Sequence, residues 1–391
     1  MNNGQEIRIN RKKLAIVGSS HFFHDIYPAF LAPIMPILIV NFSMSYTESG
    51  ILFFLVQVPS LFIPLIGLIA DKYTFNSFII WTPAMSGMIM SFLPIASSFT
   101  MLAIMLLMSG IVSALYHVPS PVMMRYFSGN KIGLGMSVYM FSGELARTAG
   151  PLIIVTAISW FGFEGSYKVF VLGVMASAVL YWQLKDVDVK KNTGFKSGNG
   201  LLISWKKLRF LFLMVAGLLL SKAFMIKALT SFLPTYMTNR GSDLWIAGAA
   251  LSILELAGAF GAITSGTLSD KIGRKRILII SFAAAPFAML FFMLSHGWAV
   301  FPLLLVLGFI NFSITPVLLA LIQENEHEYP ASANSIFMFF NFLVSSIVVV
   351  LFGILSDLYN LDTIYYLSII MTIAGIPFIL KLPKETLKST G

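Results

Sequence analysis

His21 and Asp25 stand four residues apart in an otherwise apolar stretch, which puts both on one face of a helix. A charged side chain in the bilayer core costs at least ~2.5–3.5 kcal/mol on insertion scales, so such residues must face protein interior or a water-filled cavity. There an acid and an imidazole can share or relay a proton. His21 and Asp25 are therefore candidates for H+ coupling, with Tyr27 beside them as a candidate substrate contact. The alternative is a buried acid hydrogen-bonded to His or to backbone freed by Pro28. No metal site is expected from His21, His24 and Asp25, because no third distant ligand is evident. Glu144 and Arg147, three apart, can pair on one helical face. They form either a structural salt bridge or a switch in which Glu144 takes a proton and Arg147 is released to an anionic substrate, whose oxygens its fork suits. Further along, Lys222 and Lys227 lie in one apolar stretch and Glu255 in the next, with Glu255 expected to pair with one lysine and to join the proton-coupling candidates. His117, just before Pro119 and Pro121, either lines a cavity or packs as a satisfied imidazole.

These residues can act only if membrane-spanning helices position them. Hydrophobic residues make up 57% of the 391, charged residues only 11%, and the mean hydropathy is +0.85, which excludes an ordinary soluble domain. Twelve apolar spans are expected, near 14–40, 48–70, 76–96, 99–124, 131–158, 166–184, 208–237, 245–268, 276–295, 298–322, 331–356 and 363–381. Of the 26 Lys and Arg, 21 fall in alternate segments counted from the N-terminus. The positive-inside rule then puts both termini in the cytoplasm. This distribution accounts for the +9 net charge without any nucleic-acid partner. The acidic loop Glu324–Glu328 is the one cytoplasmic exception. Arg11, Lys12 and Lys13 before an apolar run resemble a secretory signal, but His21, His24, Asp25 and three prolines interrupt that run. Cysteine is absent, so neither disulfides nor thiolate metal sites exist.

The chain also repeats itself. Gly67, Asp71 and Lys72 recur as Gly266, Asp270 and Lys271, each 199 residues on, about half the chain length. The expected organisation is a six-helix bundle over 1–184, a cytoplasmic polar linker over 185–207, and a second six-helix bundle over 208–391. The stretch Gly258, Gly261, Ser265, Gly266 reads as tight helix packing. No Gly-rich loop ending in Gly-Lys-Ser/Thr is present, so an ATP-driven pump is not expected, nor an intramembrane enzyme.

The repeated turn resembles the signature loop of the major facilitator superfamily, Gly-x-Leu-Ala-Asp-Arg-x-Gly-Arg-Arg/Lys. The copy from Gly266 through Gly273, Arg274, Lys275 and Arg276 is close to that pattern. The first copy keeps Gly67 and Asp71 but has Thr74, Phe75 and Asn76 where the family prefers Gly and basic residues. Gly permits close helix approach, Asp can cap the next helix, and the basic residues hold the loop at the anionic leaflet. The resemblance implies a conformational latch at Gly67, Asp71, Gly266, Asp270, Lys271, Gly273 and Arg274, weaker at the first copy. Tyr116-His117-Val118-Pro119, Gly133 to Ser137, the run from Gly143 to Gly150-Pro151, and Phe232-Leu233-Pro234 further resemble the fosmidomycin-resistance family.

Together these resemblances imply an all-α membrane carrier with twelve helices in two pseudo-symmetric bundles, working by alternating access. The activity they imply is H+-coupled export of a small anionic or amphiphilic compound, an antibiotic or a metabolite, through a prokaryotic cytoplasmic membrane. Arg147, His117, Lys222, Lys227 and Tyr27 are the substrate-binding candidates. The proton gradient is the energy source, with no cofactor, and the partners are substrate, H+ and lipid around a monomer. Uptake of an organic anion or sugar-like solute, and lipid flipping, are the rival transport readings; a non-transporting sensor would usually carry a larger soluble part.

Overall fold

A computed structural model describes residues 9–62, 76–129, 131–187, 200–326 and 328–382, all helix and connecting turns with no strand among them. Helix α1 (Arg11–Asp25) opens at Asn10, whose side chain accepts from the Lys13 N–H at 3.0 Å. It stops at Asp25 because Pro28 lacks the N–H that would have reached the His24 carbonyl. The Ser86 hydroxyl donates to that carbonyl instead, at a long 3.4 Å. A 3-10 turn over Pro28–Phe30 follows, and α2 (Leu31–Asn41) resumes the span. The first span is thus a broken helix with Asp25 at the break.

The remaining helices are α3 (Tyr46–Gln57), α4 (Asn76–Ser91), α5 (Phe99–His117), α6 (Ser120–Ser128), α7 (Ile132–Gly165), α8 (Phe170–Leu184), α9 (Gly200–Ser231) and α10 (Leu233–Asn239). After them come α11 (Leu244–Ile272), α12 (Arg274–Leu294), α13 (Val300–Asn325), α14 (Pro330–Leu358) and α15 (Leu361–Leu380). Ten stretches of the described residues are long and apolar enough to cross a membrane. One of these, Leu134–Leu184, holds two spans divided at Gly162, whose φ of +75° a side chain would resist. The second span is described only as far as Phe62. Twelve helical spans account for the whole pattern. Residues 200–207, expected as linker, are instead the opening turns of α9, because Leu201, Leu202 and Ile203 continue its apolar sequence. Most of the expected linker, 188–199, lies outside the described residues.

The helices form two compact units, the first drawn from the described parts of Met1–Ser43, Leu55–Thr193 and Asp243–Ser252, the second from those of Met44–Phe54, Gly194–Ser242 and Ile253–Gly391. The boundary therefore falls inside α3 and inside α11. The two exchanged segments begin at Met44 and Asp243, again 199 residues apart. In the second unit, Asp357 on α14 accepts from the Tyr46 and Thr47 N–H groups at 2.8 Å each and so caps α3. Gly353 lies against the Tyr46 carbonyl, 2.4 Å from where a Cβ would sit.

The first unit's core gathers Leu14, Val17, Ile79, Tyr116, Met124 and Leu184, and the second's gathers Phe212, Leu278, Phe282, Val317, Phe337 and Ile379. Close packing in the second unit uses Gly261, where a Cβ would stand 2.2 Å from the Phe309 carbonyl, and Gly308, equally close to Leu254. Gly266 departs from the packing expected of it, since a Cβ there would meet open space. Large apolar side chains such as Trp160, Trp182, Phe287 and Trp298 point outward, as a lipid-facing surface requires.

Candidate functional site

The polar centre of the first unit forms where the α1 break, the end of α5 and the middle of α7 meet. Asp25 is buried there. Its Oδ2 lies 3.2 Å from His21 Nε2, one turn back on α1, and its Oδ1 lies 3.4 Å from His117 Nε2, the last residue of α5. Arg147 Nη1 on α7 approaches Oδ2 at 4.0 Å, while the other end of its fork pairs with Glu144. One carboxylate is thus faced by two imidazoles and a guanidinium. The Glu144–Arg147 pair expected from sequence is present, and Arg147 joins it to Asp25.

A second layer orients these groups. His21 Nδ1 lies 2.8 Å from the Tyr139 backbone carbonyl, and the two rings stack with centroids 3.9 Å apart. Gly143 makes the room: a Cβ there would be 2.6 Å from His21 Cε1. The Tyr139 hydroxyl contacts His117 Nδ1 at 3.1 Å and Ser120 Oγ at 2.9 Å. His24 stacks on Tyr116, whose hydroxyl meets Ser20 Oγ at 2.7 Å, and sets its ring edge-on to His117 with centroids 5.7 Å apart. Tyr139 was not anticipated as part of this site. Its spacing held the signal, since Tyr139, Gly143 and Arg147 recur every four residues and share one face of α7.

The tautomer of His21 has a chemical consequence. A backbone carbonyl only accepts, so Nδ1 must carry the hydrogen, and a neutral His21 then turns the lone pair of Nε2 toward Asp25. Two acceptors at 3.2 Å repel unless a cation lies between them. The simplest such cation is a proton. With neutral imidazoles, Asp25, Glu144 and Arg147 sum to one negative charge.

Tyr27 is not part of this cluster. Its buried ring lies between Gly87 and Gly173, and its hydroxyl donates to the Val169 carbonyl at 3.0 Å. Small residues on the α4 and α8 sides create that slot, so Tyr27 packs helices together, and the fold does not bring this expected substrate contact into the Asp25 cluster. In the second unit Lys222 is buried and donates to Thr315 Oγ1, while Glu255 acts electrostatically on Lys227. Nothing in the sequence pointed to Thr315.

At the turn after α11, Gly273 adopts a φ of 99°, which only glycine takes readily. Arg274 donates to Ser269 Oγ, to Asp270, to Glu324 at 2.9 Å and to the Gly266 carbonyl at 3.2 Å. Asp270 was expected to cap the next helix, but Gly273 is the N-cap residue with no side-chain cap bond, and Asp270 is held by Arg274 instead. Lys271 is exposed. Gly67 and Asp71, the first copy, lie outside the described residues. The acidic loop is also accounted for. Glu324 receives Arg274, and the buried Glu326 accepts from Lys207 Nζ at 3.2 Å and from the Glu328 and Tyr329 N–H groups at 3.0 and 3.2 Å.

Comparison with known proteins agrees with this architecture. The Major Facilitator Superfamily model matches residues 17–349. The fosmidomycin resistance protein of Escherichia coli (strain K12) is 25% identical over 377 residues, covering 93% of this chain and 90% of that protein. Among solved structures, the nucleoside transporter NupG superposes with a TM-score of 0.74 at 14% identity, covering 95% of this chain and all of that one. A bacterial homologue of the human lysosomal transporter Spinster, inward-facing and unoccupied, gives a TM-score of 0.71 at 15% identity, covering 97% and 96%. The two structures share the fold alone. With the family model spanning most of a helical, multi-pass membrane chain, this protein belongs to the Major Facilitator Superfamily and is a secondary transporter rather than an enzyme.

Proposed function

We propose that the protein is a proton-coupled exporter of a small anionic or amphiphilic compound, acting by alternating access in a prokaryotic cytoplasmic membrane with both termini in the cytoplasm. The observation that carries this reading is Asp25, buried at a helix break and faced by His21, His117 and Arg147. An exporter driven by inward H+ needs the proton and the substrate to occupy the carrier alternately, and their differential binding to two conformations provides the coupling. In this reading Asp25 takes the proton and Arg147 is the cation that an anionic substrate engages. Export of a phosphonate-type compound follows from the likeness to the fosmidomycin resistance protein, since a bidentate Arg suits such an anion. Within the second unit, Lys222 and Lys227 outnumber Glu255, and a net positive charge there also suits an anionic cargo.

The test is transport in proteoliposomes with fosmidomycin as the probe. Asp25→Asn is expected to abolish flux driven by a pH gradient while fosmidomycin exchange without a gradient survives. Gradient-driven flux equal to that of the parent protein would remove Asp25 from the coupling role.

A further inference from the structure

The neutral His21 tautomer demands a cation between its Nε2 and Asp25, and a proton is not the only cation that fits. We propose that a divalent transition-metal ion, Zn2+ or its spectroscopic substitute Co2+, binds at His21 Nε2, Asp25 and His117 Nε2. The ligand atoms His21 Nε2, Asp25 O and His117 Nε2 all lie within 4.8 Å of one another. The two His–Asp separations are 3.2 and 3.4 Å. Tetrahedral zinc with bonds of about 2.0–2.1 Å sets its ligands about 3.3 Å apart, and each imidazole lies at about that distance from one carboxylate oxygen, His21 from Oδ2 and His117 from Oδ1, so the Asp25 carboxylate presents one oxygen to each. The His–His edge is bounded by the same 4.8 Å, so binding requires the partly exposed His117 ring to shift inward.

The second layer is what a metal site uses. A ligating His usually donates its other ring nitrogen to a carbonyl or carboxylate, which fixes tautomer and orientation. His21 Nδ1 does so to the Tyr139 carbonyl, and His117 Nδ1 meets the Tyr139 hydroxyl. Asp25 Oδ1 is buried with no well-formed hydrogen bond, which leaves it able to coordinate. Two imidazoles and one carboxylate match the donor set of zinc sites that keep a fourth position open, here for water or an anion. Arg147, 4.0 Å from Asp25, opposes the ion, and Glu144, already paired with Arg147, offsets that charge. The sequence reading found no third ligand because His117 is 92 residues from Asp25 and only the fold brings it in.

Metal binding stands on ligand geometry alone. That the ion also stops transport rests on the proton-coupling reading, since it would occupy the coupling groups. The test is Zn2+ titration of the detergent-purified full chain at constant pH, with metal content counted per chain. One Zn2+ per chain is expected, with affinity at least about tenfold lower in His117→Ala and in Asp25→Asn. Affinity is unchanged in His296→Gln, which alters a histidine far from the cluster in sequence and bonded to Arg240. Should those two site variants fail to fold, the Co2+ spectrum of the unaltered protein decides. Intense visible bands saturating at one ion per chain mark a low-coordinate nitrogen–oxygen site, and weak octahedral bands overturn the proposal. Absence of stoichiometric binding, or equal binding in His117→Ala, also overturns it. Stoichiometric binding that leaves gradient-driven flux intact would support the metal site and count against the coupling role instead.

Discussion

A single missing methyl group shapes the site at the residue scale. His21 stacks on Tyr139 and points at Asp25 only because position 143 carries no Cβ, which would stand 2.6 Å from the imidazole. Gly143→Ala forces the ring to shift, and overpacking of this kind typically costs about 1–3 kcal/mol. The expected outcome is a lower melting temperature together with a larger fractional loss of pH-gradient-driven flux than of gradient-free exchange. An unchanged ratio of the two fluxes would mean that the His21–Asp25 contact does not carry the proton. Tyr27 teaches the opposite lesson. Two residues from Asp25 along the chain, it is a packing residue because the break at Pro28 turns its ring into the slot between Gly87 and Gly173.

At the scale of elements, buried acids tie helix ends together on the side where positive charge accumulates. Glu326 follows α13, receives Lys207 from α9 and holds the turn that leads into α14 through the Glu328 and Tyr329 N–H groups. Burial pushes its carboxyl upward, but those N–H groups and the Lys207 ammonium outweigh burial and hold it below the usual glutamate range. A carboxyl lowered on folding contributes stability that is full above its unfolded value and lost as pH falls through its folded value. Thermal stability is therefore expected to decline on acidification below about pH 4.5, the ordinary glutamate value. Glu326→Gln should lose about 1–2 kcal/mol at neutral pH, as expected for charge-assisted hydrogen bonds, and should flatten the acid limb of the melting profile. An acid limb identical to the parent's would show that another group sets it. Arg274 plays the matching role at the α11–α12 turn. Both of its acid partners are more than half exposed, so its bonds to Ser269 and Gly266 matter more than the ion pairs.

For the whole molecule, orientation is the property most open to a direct test. The chain has no cysteine, so one introduced thiol reports its own position without background labelling. Lys271 and Ala299 are both exposed and lie at opposite ends of the ninth span. A membrane-impermeant maleimide applied to intact cells should label Ala299→Cys and spare Lys271→Cys, with the reverse in inside-out vesicles. The inverted result would overturn the cytoplasmic placement of both termini. The apolar outer surface, with Trp160, Trp182 and Trp298 projecting from it, suits lipid contact and accounts for most of the Trp content, whereas many Phe side chains fill the core.

Much of this was legible in the chain itself. Apolar spans of about 20 residues can only be membrane helices, because lipid leaves backbone groups no other partners. Charge asymmetry implied an orientation, and the 199-residue repeat implied two related halves. The pairs His21–Asp25 and Glu144–Arg147 were readable because helical periodicity places residues three or four apart on one face. What only the tertiary structure decided lies between helices. It joined the two pairs through Arg147 and brought in His117 and Tyr139. It gave Lys222 to Thr315, Asp270 to Arg274 and Tyr27 to the packing seam. No local rule reaches across 92 residues from Asp25 to His117. Their meeting depends on where Pro28 breaks one helix and on how closely glycines let its neighbours approach.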